Sequence, residues 1–118
     1  MKCLLFHCLD ETAELSPDDD SDVAGSAADR AVEAWDSEME ARGVKLAGGR
    51  LRPVSEARTV RVRGDEVLVS DGPFAETKEQ IAGFNVLECA DLDEAIEVAS
   101  RHPTAKIGTF ELRPLWLE

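Results

Sequence analysis

Apolar positions along this chain switch between two periods, and the switches mark its elements. Residues 2–9 are an apolar run of strand length. Residues 26–42 then place Ala28, Val32, Trp35 and Met39 at spacings of four, three and four, one apolar stripe of a helix. Glu33, Asp36, Glu38, Glu40 and Arg42 lie largely off that stripe. Gly43 stands where a helix C-cap needs a left-handed residue. Residues 44–47 predict a strand ended by Gly48-Gly49, and 50–53 an irregular segment. Two short β runs, 59–63 and 66–70, flank Gly64-Asp65, a pair suited to a tight hairpin. Geometry of that turn also accounts for the Arg63-Gly64-Asp65 tripeptide better than cell adhesion does, since no secretion signal is evident.

Period two returns at 84–88, with Phe84, Val86 and Glu88 on one face and Asn85, Leu87 and Cys89 on the other. Asp91 with Glu94 forms a capping-box-like pair. Leu92, Ala95, Ile96 and Ala99 then give the i, i+3, i+4, i+7 pattern of an amphipathic helix. His102-Pro103 ends it, because the residue before proline avoids helical geometry. A last strand over 107–113 closes at Pro114. Strand, helix, strand, hairpin insert, strand, helix, strand is the order of an α+β fold of ferredoxin-like type, two split βαβ halves in one domain spanning 1–118. Both helices would cover one sheet face. The other face keeps apolar residues, so we expect a homodimer with two sheets packed face to face, a dimeric α/β-barrel.

Charge narrows the partners. The net charge is −12, which repels a phosphate backbone and argues against direct nucleic-acid binding. Arg50, Arg52, Arg58, Arg61 and Arg63 are a local exception, either a strip suited to an anionic ligand or a solvated strand face. No apolar run approaches the ~20 residues of a membrane span. The N-terminal apolar stretch is too short for a signal peptide and runs at once into Asp10 and Glu11, so we expect a cytoplasmic protein. Asp18-Asp19-Asp20, within the loop 10–25, invites a calcium reading that its spacing does not support. Cys3, Cys8 and Cys89 are odd in number and lack a CxxC pair, so a disulfide framework is not indicated. Alternation puts Cys3 and His7 on one strand face and Cys8 on the other, so no metal set is expected.

Asp71-Gly72-Pro73-Phe74-Ala75-Glu76-Thr77-Lys78-Glu79-Gln80 concentrates the candidate chemistry. Asp71, held between a strand and Gly-Pro, has the placement of a general acid or base, or of a side chain that fixes its own turn. Gly72 and Pro73 shape the turn, Phe74 offers an apolar wall, and Lys78 and Arg113 could hold an anionic group. Thr77 with Gln80 matches a capping box and predicts one helical turn.

This loop, with Gly83-Phe84, Asp91-Leu92-Asp93-Glu94-Ala95 and Glu111-Leu112-Arg113-Pro114, closely resembles the DGPF-domain, or YCII-related, family. The resemblance covers most of the chain and implies a dimeric α/β-barrel. It also implies a regulatory context beside extracytoplasmic-function sigma factors, and a histidine–aspartate pair in a pocket. Asp71 would be the carboxylate of that pair. The first-helix histidine is missing, Val32 standing at its place, and His7 is the candidate substitute. His102, at a helix end before proline, reads as structural or solvated. Two functions follow: cofactor-free lyase- or isomerase-like chemistry on a small anionic or apolar metabolite, or a non-catalytic module that binds a ligand or a sigma factor.

Overall fold

A computed structural model describes residues 1–10 and 27–116 of the chain. Among these residues six strands and two α-helices make an α+β fold with antiparallel sheets. The strands are β1 (Lys2–Leu9), β2 (Lys45–Arg50), β3 (Arg58–Arg63), β4 (Glu66–Asp71), β5 (Gln80–Glu88) and β6 (Thr109–Pro114). The helices are α1 (Ala27–Ala41) and α2 (Leu92–Ser100). Four strands form the main sheet in the order β2-β5-β1-β6, while β3 and β4 pair only with each other. Each strand–helix–strand unit therefore has a strand of the other unit between its own two. The acidic stretch around Asp18-Asp19-Asp20 lies outside the described residues.

Alternation decides which side of the sheet is dry. Cys3, Leu5 and Leu87 face the helices and are fully buried, meeting Trp35 and Met39 from α1 and Ala95, Val98 and Ala99 from α2. Burying each large side chain of this set contributes roughly 1.5–3 kcal/mol relative to exposure. The opposite sheet face carries Leu4, Phe6, Phe84 and Val86, paired across β1 and β5 as Leu4 with Val86 and Phe6 with Phe84. These four are half-buried, and both described helices contribute to the core on the other side.

Helix α1 ends as its sequence predicts. Gly43 takes φ +74°, and Val44 N–H donates to Met39 O while Gly43 N–H donates to Glu40 O, so the last carbonyls are satisfied. Trp35 donates from Nε1 to the Val98 carbonyl at 3.0 Å, which ties the two helices together inside the core. Outside, Arg101 meets Glu38 at 2.9 Å and Arg42 meets Glu94 at 3.4 Å.

Several boundaries and faces differ from the sequence pattern. Strand β2 does not stop at Gly48-Gly49 but runs through them to Arg50. The glycines permit close pairing there: a Cβ on Gly48 would press on the Asn85 amide and come within 2.8 Å of the Phe84 carbonyl oxygen. Strand β5 begins at Gln80, four residues before the predicted start. Strand β6 begins at Thr109, because residues Pro103–Lys106 form a 3-10 turn ahead of it. Helix α2 buries Ala95, Val98 and Ala99, while Leu92 and Ile96 are 43% and 51% exposed. Its small residues make the core contact, and the larger pair is turned outward. Asp91 caps α2 by accepting from Glu94 N–H at 2.9 Å, and the Glu94 carboxylate reaches back to Ala90 N–H.

Candidate functional site

Residues 72–79 connect the hairpin to β5 and form no helical turn. Thr77 and Gln80 are used differently from a capping box: the Thr77 hydroxyl donates to Glu79 O at 2.6 Å, and Gln80 Nε2 donates to Thr77 O at 3.0 Å. These bonds curl the loop over the start of β5, beside the end of β1. The result is an open recess of about 200 Å³ bounded by Asp10, Val54, Pro73, Glu76, Thr77, Lys78 and Gln80. Its walls combine two carboxylates, one ammonium, a hydroxyl and an apolar side formed by Val54 and Pro73.

Asp71 is not part of that recess. It ends β4 opposite Arg58, its carboxylate 3.3 Å from the Arg58 guanidinium, and its side chain is 89% exposed. Gly72 closes the hairpin base at φ +88°, donating to Ala57 O at 2.8 Å and accepting from the Thr59 hydroxyl at 2.8 Å. Phe74 is 81% exposed and lines no described cavity. Arg113 lies on the uncovered sheet face, 3.4 Å from Glu111, beside a second open groove of about 300 Å³ formed by Leu4, Phe6, Pro114, Leu115 and Trp116.

His7 points the other way, toward the helices. Asn85 lies across the sheet with its amide 2.8 Å from His7 Nε2; with the amide nitrogen toward the ring, Nε2 accepts and the proton sits on Nδ1. Phe110 stacks on the imidazole at 4.4 Å between centroids, and His102 meets it edge-on at 4.8 Å. His102 is buried, contacts Trp35 at 4.7 Å, and accepts from Thr104 N–H through Nδ1 at 3.0 Å. Gly83 faces His7 across β1 and β5, and a Cβ there would come within 3.6 Å of the ring.

Electrostatics in this cluster favour neutral rings. Burial, then the neighbouring His102 and Lys45, lower the His7 pKa to about 4 against the opposing pull of Asp36. Burial likewise lowers His102, with Lys45 assisting and Asp36 opposing. Asp36 and Lys45 hold each other at 2.9 Å from α1 and β2. Burial pushes the Cys89 thiol up to about 11, so it is a packed thiol rather than a nucleophile. Among the described residues no three of His, Cys, Asp and Glu gather as a metal cluster, and no helix is long and apolar enough to cross a membrane.

The structure thus brings Pro73, Thr77 and Lys78 together and leaves Asp71, Phe74, Arg113 and His7 in four other settings. The substitution of His7 for the missing helix histidine does not put an imidazole beside Asp71: the side chain lies on the helix-covered face, among Asn85, His102 and Phe110. The pairing of His7 with His102 was the feature pattern reasoning missed. Its signal was present, since His102 continues the buried stripe of Ala95 and Ala99 at i+7.

A four-stranded antiparallel sheet backed by two helices, carrying a separate hairpin and a curled polar loop, defines a small α+β domain with one loop-bounded recess. The chain belongs to the YCII-related family: that domain matches over residues 5–117. It is also 49% identical over 70 residues to an uncharacterised protein of Rhizobium meliloti (strain 1021), a match covering 58% of this chain and 56% of that relative. The shared stretch therefore spans little more than half the length of the curated relative.

Proposed function

We propose that the chain is a small-molecule-binding protein that works as a homodimer of the ferredoxin-like, dimeric α/β-barrel kind, with its ligand recess beside the loop 72–79. The observation that carries this reading is the recess itself, which Lys78 and Thr77 line together with Asp10, Glu76 and the apolar Val54 and Pro73. A single lysine sharing a recess with two carboxylates suits a ligand bearing both charges. The favoured class is a small zwitterion, its carboxylate on Lys78 and its ammonium toward Asp10 and Glu76. Asp71 then serves the hairpin base through Arg58. Proton transfer at Asp71 would need a partner surface to bury a carboxylate that is 89% exposed in one chain.

Calorimetry with a panel of amino acids, simple carboxylates and simple amines tests this reading. A zwitterion should bind in preference to either single-charge analogue. Lys78→Ala should weaken it at least tenfold and Arg113→Ala should leave it unchanged. No binding by any of the three classes at millimolar concentration would sink the proposal.

A further inference from the structure

Hairpin β3–β4 is built as though one of its faces were interior. Val60 pairs with Val69 and Val62 with Val67, so four β-branched side chains share one face. They are 57–64% exposed. Beyond its base, no other described element packs substantially on the hairpin. A two-stranded ribbon alone is marginal in water, and a contiguous apolar face of this kind marks an interface.

Among the described residues a second apolar surface is also left uncovered. The groove along β1 and β6 is walled by Leu4, Phe6, Leu115 and Trp116, with Trp116 92% exposed. The two surfaces are also matched in charge. Arg58 and Asp71 end the valine face as a pair, and Arg113 and Glu111 flank the groove as a pair. Register puts Arg58 and Asp71 on the valine side, and Arg113 opposite Leu4 with Glu111 opposite Phe6. Segment 50–63 carries five arginines against one glutamate in a chain of net charge −12, so an acidic body attracts it.

We infer that the hairpin is an assembly arm whose valine face seats in the Leu4–Phe6–Trp116 groove of a second copy of this chain. A second copy is the fitting occupant because both uncovered surfaces are present once per chain. A two-fold exchange of arms covers both at once, with Arg58 meeting the partner's acidic rim and Asp71 its basic one. This rests on the homodimer reading above and specifies its contact. The arm then covers Leu4 and Phe6, and the Phe84–Val86 side of the sheet is left to meet the partner's sheet.

The test combines sedimentation equilibrium with acrylamide quenching of tryptophan fluorescence. The chain has two tryptophans, and Trp35 is buried in the core, so quenching reports Trp116. The arm variant replaces Val60, Val62, Val67 and Val69 with threonine, which keeps branched strand-forming side chains and removes the apolar face. Its circular dichroism and urea midpoint, matched to wild type at dilution, establish that it folds.

We expect a wild-type dimer with Trp116 shielded, Trp116 exposed on dilution, and a dissociation constant at least tenfold weaker in the arm variant. A dimer whose affinity and quenching are unchanged by the valine substitutions would overturn the arm and leave the homodimer standing. A wild type that is monomeric at high concentration would overturn both. Protection of 59–70 from hydrogen exchange in the dilute monomer would assign the valine face to the chain's own remaining segment and overturn the inference.

Discussion

The helix-covered face of the sheet and the β3–β4 hairpin invert the usual placement of side chains in opposite ways. On the covered face, two imidazoles and an amide sit among aromatic rings, polar groups inside. On the hairpin, four valines face water, apolar groups outside. The buried set is internally provided for: His7 has Asn85, His102 has Thr104 N–H, and Trp35 has the Val98 carbonyl. Such groups are costly only when left unpaired. The valines have no equivalent provision within the described residues. Polarity in the wrong place can be settled by one hydrogen bond, whereas apolar surface in the wrong place needs area, and area has to come from another body.

The contrast is broken most strongly in the core. Leu87→Ala should cost about 2–5 kcal/mol in urea denaturation, since the side chain is fully buried. Val67→Ala, measured on dilute protein, should cost less than about 0.5 kcal/mol, as for other exposed positions. Equal costs would mean that the hairpin is covered within one chain. Next in size, Asn85→Ala removes the donor to His7 and should cost about 1–3 kcal/mol by the same measurement. A cost near zero would show that water or another group already serves the ring.

Acid sharpens the comparison. At neutral pH His7 is uncharged in the folded chain and mostly uncharged in the unfolded one. Below about pH 6.5 the unfolded chain takes up a proton that the folded one refuses until about pH 4. Stability should therefore decline as pH falls from 6.5 to 4 and then level off in this contribution. After allowance for partial solvent access the loss is about 1–2 kcal/mol. His102, lowered in the same direction, adds to it. The gap between urea midpoints at pH 7 and pH 5 should narrow in His7→Phe, leaving the share that His102 contributes. Glu88, held low by the hydrogen bond from the N-terminal amine, adds a loss only at more acid pH, in the carboxylate range. Smallest of all, Asp71→Asn should change stability by less than about 0.5 kcal/mol, because both partners of its ion pair are exposed. A larger loss would mean that the hairpin base depends on that carboxylate.

Periodicity made most of the fold legible, because a strand or helix that buries one face must repeat its apolar residues at that period. It failed at β2, where Gly48 and Gly49 look like a stop yet are needed for close approach to β5. In α2 it held for Ala95 and Ala99 but not for Leu92 and Ile96, which are exposed, Val98 making the remaining contact. Composition cannot separate two apolar stripes on one short helix. The candidate loop was legible as a concentration of turn and charged residues, but not its split. Whether Asp71 and Lys78 share a wall depends on where the hairpin points, and neither residue encodes that. His7 and His102 are 95 positions apart in sequence, so their meeting depends on the packing of β1 against the segment after α2.

The place of β1 in the sheet has a consequence for how the chain is made. Its two hydrogen-bonding neighbours are β5 and β6, whose residues begin at Gln80 and Thr109. During synthesis β1 emerges ahead of both neighbours and waits, both edges unpaired, until β5 and then β6 follow it. No fragment that stops before β6 can complete the sheet, and closure of such long loops makes the folding step slow relative to helix formation. A strand that ends up inside the sheet, between β5 and β6, is thus an unpaired edge on both sides while the ribosome is still at work.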